Sequence, residues 1–127
     1  MVGPMIQLEI GGQSITRISF DYQLEILLSN QVSAVITGLF SYRNSSGDSV
    51  DLSIGRGVAS CAVVLESFGK EVASGTVTDD GGLHILLTDG SSFHIDPDSN
   101  YESWELNGER NASKIVSMPG GELAIWD

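Results

Sequence analysis

The chain has 127 residues, 41% of them hydrophobic and 18% charged, and seventeen acids against six bases give a formal net charge of −11. That hydrophobic content excludes intrinsic disorder, and the negative field excludes a nucleic-acid binder, since a phosphate backbone would be repelled. A lone cysteine, Cys61, excludes an internal disulfide and fits a reducing compartment.

The first residues hold no basic, apolar run of leader length, and no segment reaches the length of a membrane span, so a cytoplasmic protein with no membrane partner is expected. Gln13 to Phe20 alternates, with Ile15, Arg17 and Ser19 opposite Thr16, Ile18 and Phe20. Strands at Leu24 to Leu28 and Val32 to Tyr42 follow across a turn at Ser29-Asn30-Gln31, completing an antiparallel meander. A polar loop spans Asn44 to Ser49. From Gly57 to Phe68, Val58, Cys61, Ala62, Leu65 and Phe68 recur at helical spacing, and Gly69 is placed to end a helix there. Cys61, among Ala59, Ala62, Val63 and Val64, has the surroundings of a buried small hydrophobe.

Strands are then predicted at Glu71 to Thr78, Leu83 to Thr88, Ser92 to Ile95, Tyr101 to Leu106, Lys114 to Met118 and Leu123 to Trp126. The segment Asp21 to Asn30 is echoed by Asp80 to Asp89, and each continues to an isoleucine, Ile36 and Ile95, at the same offset. One echo is too few for a solenoid or propeller, but it fits two hairpins obeying one packing rule, at about 21–36 and 80–95. The expected fold is α+β: one domain over 1–127, predominantly antiparallel meander and hairpins, with one packed helix near residues 57–68.

His84 and His94 flank the turn at Thr88 to Ser91. A two-residue Asp-Gly loop would put them on opposite faces, and a three-residue loop with a left-handed Gly90 would pair them on one. The second register is preferred because it aligns Ile85 and Leu87 with Phe93 and Ile95. Asp96 to Asn100 has oxygen ligands at alternate positions, but Tyr101 and Asn107 stand where a calcium loop needs Gly and a bidentate Glu, so an Asx-Pro turn is expected and no metal or cofactor. There is no nucleophile elbow, no metal-binding His-Glu pattern and no phosphate loop, which points away from an enzyme and from catalytic residues.

The acids concentrate towards the end: from Asp79 to Asp127 there are ten, against Arg110 and Lys114 alone. Within that field Tyr101, Glu102, Trp104, Glu105 and Glu109 form a candidate partner-binding surface of aromatics set among carboxylates. Pro119-Gly120-Gly121 would close the last two strands as a hairpin.

Asp89-Gly90, Tyr101-Glu102-Ser103-Trp104 and the ending from Pro119 to Trp126 resemble a family of small uncharacterised bacterial proteins with a Tyr-Glu-x-Trp motif and a Pro-Gly-Gly-Glu-Leu-Ala-[Val/Ile]-Trp ending. The resemblance covers about half the chain and implies no activity. Three functions stay open. The first is a non-enzymatic protein-binding module, of immunity or antitoxin type, that inhibits a basic partner such as a toxin. The second is a structural homo-oligomer joined through sheet edges. The third is a small-ligand binder or hydrolase built on His84 and His94.

Overall fold

The computed structural model describes residues 5–108 and 113–126. Among the described residues, twelve strands form two six-stranded antiparallel sheets. They are β1 (Ile6–Gln7), β2 (Ile15–Phe20), β3 (Leu24–Leu28), β4 (Ser33–Ile36), β5 (Phe40–Arg43), β6 (Ser49–Leu52), β7 (Val72–Val77), β8 (Leu83–Leu87), β9 (Ser92–Ile95), β10 (Trp104–Asn107), β11 (Lys114–Ser117) and β12 (Leu123–Trp126). The first sheet runs β1-β7-β8-β9-β5-β6 and the second β12-β11-β10-β4-β3-β2. Inward residues of both, among them Leu24, Ile26, Ile36, Tyr42, Ile85, Phe93, Ile95 and Leu106, make one core.

The echo in the sequence has a counterpart in the pairing. Leu24 pairs with Ile36 and Ile26 with Ala34 across β3–β4, while Leu83 pairs with Ile95 and Ile85 with Phe93 across β8–β9. Both preceding strands carry a bulge at the same place, between Ile15 and Arg17 and between Val72 and Ser74. Each three-strand meander then sends its next strand into the opposite sheet: β5 joins β9, and β10 joins β4. The halves meet at the Ser14–Glu71 bridge, where Gly12 N donates to Val72 O (2.8 Å) and Gly69 N donates to Ile15 O (2.8 Å). These reciprocal bonds give the two halves an approximate two-fold relation.

Three sequence expectations need correction. Val32 to Tyr42 is two strands in two sheets, broken at Thr37 to Leu39 where the chain crosses over. The alternation of Gln13 to Phe20 does not survive the bulge: the extra residue re-phases the strand, so Ile15, Ile18 and Phe20 all pack on the core.

The third concerns the helix. Two 3₁₀ segments, η1 (Ile54–Arg56) and η2 (Val58–Ser67), replace the expected α-helix. In η2 the buried residues are Cys61, Val64 and Ser67, three apart, as a helix of three residues per turn requires. Leu65 and Phe68, assigned to the inner face on α-helical spacing, are exposed, Phe68 by 60%. The valines disfavour an α-helix, and the hydroxyls of Ser60 and Ser67 bond back to the carbonyls of Gly57 (2.7 Å) and Val64 (2.6 Å), which competes with the regular ladder. Cys61 and Val64 still reach the core, and Tyr42 OH donates to Glu66 Oε1 (2.8 Å), tying η2 to the sandwich. The β-rich α+β outline therefore stands, with a helical segment packed where one was expected but of 3₁₀ type. Among the described residues no helix is long and apolar enough to cross a membrane.

Candidate functional site

The two most distinctive motifs meet at one carbonyl. Trp104 opens β10 facing inward and is 1% exposed, and its Nε1 donates to Gly81 O at 3.0 Å; Ser117 Oγ, from the end of β11, donates to the same oxygen at 2.8 Å. Gly81 lies in the β7–β8 turn and Gly121 in the turn after β11, each at positive φ, and they pack so closely that a Cβ on Gly121 would lie 2.3 Å from Asp80 O. Met118 O accepts from Gly121 N, and Gly120 at φ 87°, ψ −2° is the second central residue of a type II turn, closing the hairpin as Pro119-Gly120-Gly121 predicts. Gly120 N donates to Asp98 O at 2.7 Å, so this turn also holds the 96–103 connection in place. The signature residues therefore act as a buttress. Trp104, assigned to a binding surface, is instead buried in the core.

On the outer face of the first sheet, cross-strand pairing aligns a polar row: Gln7, Thr76, His84, His94, Ser41 and Asp51. Leu87 N donates to Ser91 O and Gly90 is left-handed, which is the three-residue loop that pairs the histidines on one face. Their ring centroids are 5.7 Å apart. Partial burial, and then the neighbouring His94, push the His84 pKa down. His94 Nε2 lies 2.9 Å from Asp96 Oδ1; the carboxylate accepts, so that nitrogen carries the proton. Ser41 Oγ donates to the backbone carbonyl of His94 (3.4 Å), not to its ring. Among the described residues no hydroxyl or thiol bonds to either imidazole, and no group of three His, Cys, Asp or Glu side chains is arranged to hold a metal ion.

The row runs into a cleft, and the cleft exists because the two halves differ. Between β4 and β5 the crossover is residues 37–39; the equivalent crossover between β9 and β10 is longer, residues 96–103. The additional chain folds against the outer face beside β5 and β6 and encloses about 130 Å³. Gly38, Leu39, Phe40 and Ser41 line one side, Asp51 the edge, and His94 with Asp96, Pro97, Asp98, Tyr101 and Ser103 the other. Asp98 Oδ1 accepts from Asn100 N (2.7 Å), an Asx turn two residues beyond the Asx-Pro position Asp96-Pro97 expected from sequence, and Tyr101 projects from it with 47% exposure. Partial burial and the Asp98 carboxylate raise the Tyr101 pKa, so the phenol stays neutral at physiological pH. Gly38 is where the opposite wall needs to be bare: a Cβ there would lie 2.9 Å from Tyr101 Oη.

Two features of the cleft bear on its chemistry. Among its lining residues there is no Lys or Arg, and His94, paired with Asp96, is the one basic side chain beside the carboxylates of Asp51, Asp96 and Asp98. Ser103, 2% exposed, has an Oγ that is buried without a hydrogen-bond partner. Of the residues proposed from sequence, Tyr101 lines the cleft and Glu102 is exposed next to it. Glu105 alternates with buried Trp104 and Leu106 and so faces outward from the second sheet, where it accepts from Asn107 Nδ2 (3.0 Å) and lies 3.5 Å from Lys114 Nζ. Glu109 lies outside the described residues. Gly38, Asp51 and Ser103 were missed. Asp51 and Ser103 are far apart in sequence, and only the exchange of strands between sheets brings them together.

The chain belongs to a family of unknown function, DUF6188, whose model matches residues 6–127. No curated protein and no solved structure matches it.

Proposed function

We propose that the chain is a protein-binding module that meets a basic surface of its partner at the acidic cleft, acting as a stoichiometric inhibitor of the immunity or antitoxin type. The observation that carries this reading is the set of cleft carboxylates, Asp51, Asp96 and Asp98, with no lysine or arginine among the lining residues. Such a site draws cationic groups from solution and adds to the field of a chain whose net charge is −11. The exposed Tyr101 supplies a rigid, amphipathic contact of the kind that anchors interfaces. Asp96 is shared with His94, and Asp98 keeps one oxygen on the Asn100 amide, while Asp51 stands exposed on the edge strand β6.

The test is affinity capture with tagged protein at low and high salt, repeated with Asp51→Lys and Asp98→Lys. A basic partner retained by the native chain, released by salt and lost on either charge reversal is the expected result. A partner that survives both high salt and both reversals would end this reading.

A second reading rests on a different observation. Strand β12 is a sheet edge whose Ile125 and Trp126 are about half exposed, and an open apolar edge is a template for pairing with another copy. A dimeric mass in dilute solution that reverts to monomer in Ile125→Lys would favour it.

A further inference from the structure

We propose that the cleft is a guanidinium site: it takes one arginine side chain of the partner, held between the carboxylates of Asp51 and Asp98, flat against Tyr101 and within reach of Ser103 Oγ. The inference rests on the protein-binding reading and names the group that this surface would recognise. Three observations carry it.

The first is the orphaned Ser103 hydroxyl. Ser103 is one of the residues that line the cleft, and its Oγ is buried without a hydrogen-bond partner, an unmet demand that a ligand's N–H would satisfy. The second is the spread of the acids. Asp51 stands on β6, whereas Asp98 stands on the 96–103 connection across the cleft. An ammonium is a compact charge that pairs best with one carboxylate at a time. A guanidinium has five N–H donors fixed in a plane and can serve two carboxylates and a hydroxyl together.

The third is the shape and lining of the cleft. Leu39 and Pro97 offer apolar surface for a three-carbon stem, and the Tyr101 ring offers a face for a delocalised cation. Arginine is also the less strongly hydrated of the two basic side chains, which suits a half-closed site of about 130 Å³. The short crossover of the other half, 37–39, forms the wall opposite, so this site has no counterpart across the two-fold relation.

The probe is N-acetyl-L-arginine methylamide, titrated into the native chain and followed by amide chemical shifts, with the lysine and citrulline analogues as controls. Saturable shifts at Gly38, Ser41, Asp51, Tyr101 and Ser103 are expected, with a dissociation constant on the order of 1 mM for so small a ligand. Citrulline, neutral but isosteric, should bind at least tenfold more weakly, and so should arginine to the Asp51→Asn/Asp98→Asn double variant. Asp51 is exposed at a sheet edge, and Asn at 98 keeps the acceptor for Asn100 N, so this variant is expected to fold. Shifts that fail to saturate, that map away from the cleft, or that citrulline or lysine reproduces would overturn the proposal. Salt-sensitive capture of a partner by the double variant at native strength would also overturn it, while leaving the protein-binding reading in place.

Discussion

Gln31 is the sole non-glycine residue with positive φ among the described residues, at 73°. Its structural equivalent in the second half is Gly90, at 92°. The surroundings match closely: Gln31 N donates to Leu28 O (2.9 Å) and Leu28 N to Val32 O (2.8 Å), as Gly90 N donates to Leu87 O (3.0 Å) and Leu87 N to Ser91 O (2.8 Å). The Gln31 side chain is exposed, so the left-handed backbone is held by the turn and not by contacts of its own. For an L-residue that conformation costs about 1–2 kcal/mol; a glycine escapes that cost but loses about 0.5–1 kcal/mol to the larger entropy of its unfolded chain. Gln31→Gly should therefore stabilise by about 0.5–1 kcal/mol, raising the melting temperature by about 2–5 °C for a chain of this size. The converse, Gly90→Ala, meets nothing within 4 Å of the new Cβ, so its cost of about 1 kcal/mol is conformational alone. Urea and thermal unfolding followed by circular dichroism measure both, with an unchanged denaturant slope as the sign that the unfolded state is the same. If Gln31→Gly is neutral or destabilising and Gly90→Ala costs nothing, the equivalence of the two turns is wrong.

Trp104→Ala removes the largest fully buried side chain and one of the two donors to Gly81 O, and should cost about 3–5 kcal/mol in urea unfolding; a loss under 1 kcal/mol would place the indole outside the core. Gly121→Ala forces a Cβ against the Asp80 carbonyl at a residue of φ 94°, with an expected cost of about 2–4 kcal/mol, and amide exchange should show the 96–103 segment loosened with it. His84 has a pKa below its ordinary 6.5 when folded, so the unfolded chain binds the proton more readily, and stability should fall as pH drops below about 6.5. His84→Asn should flatten that slope, and an unaltered slope would show that another group causes it.

Much of the fold was legible in the chain because strand signals are local. Alternating Leu24, Ile26 and Leu28, and again Leu83, Ile85 and Leu87, need only a period of two to be recognised, and the shared pattern already pointed to two hairpins packed alike. The Asp89-Gly90 turn chose its own register because the alternative would have turned Ile85 and Phe93 to opposite faces. The helix near 57–68 was legible but its inner face was not, because spacings of three and four both fit an α-helix and only packing against the sandwich showed that the repeat is three.

The sequence by itself determined a β-rich, acidic chain, its principal turns and the glycines that those turns require. Tertiary structure alone decided that each meander sends its next strand into the opposite sheet, which splits 32–42 in two and makes Trp104 a core residue. The same crossing brings Asp51 from β6 to the cleft that Asp98 and Ser103 of the late crossover also line. The physical reason is that a turn is closed by a few neighbouring residues, whereas a cleft is closed by pairings between strands far apart in the chain, whose register depends on the burial of the whole core.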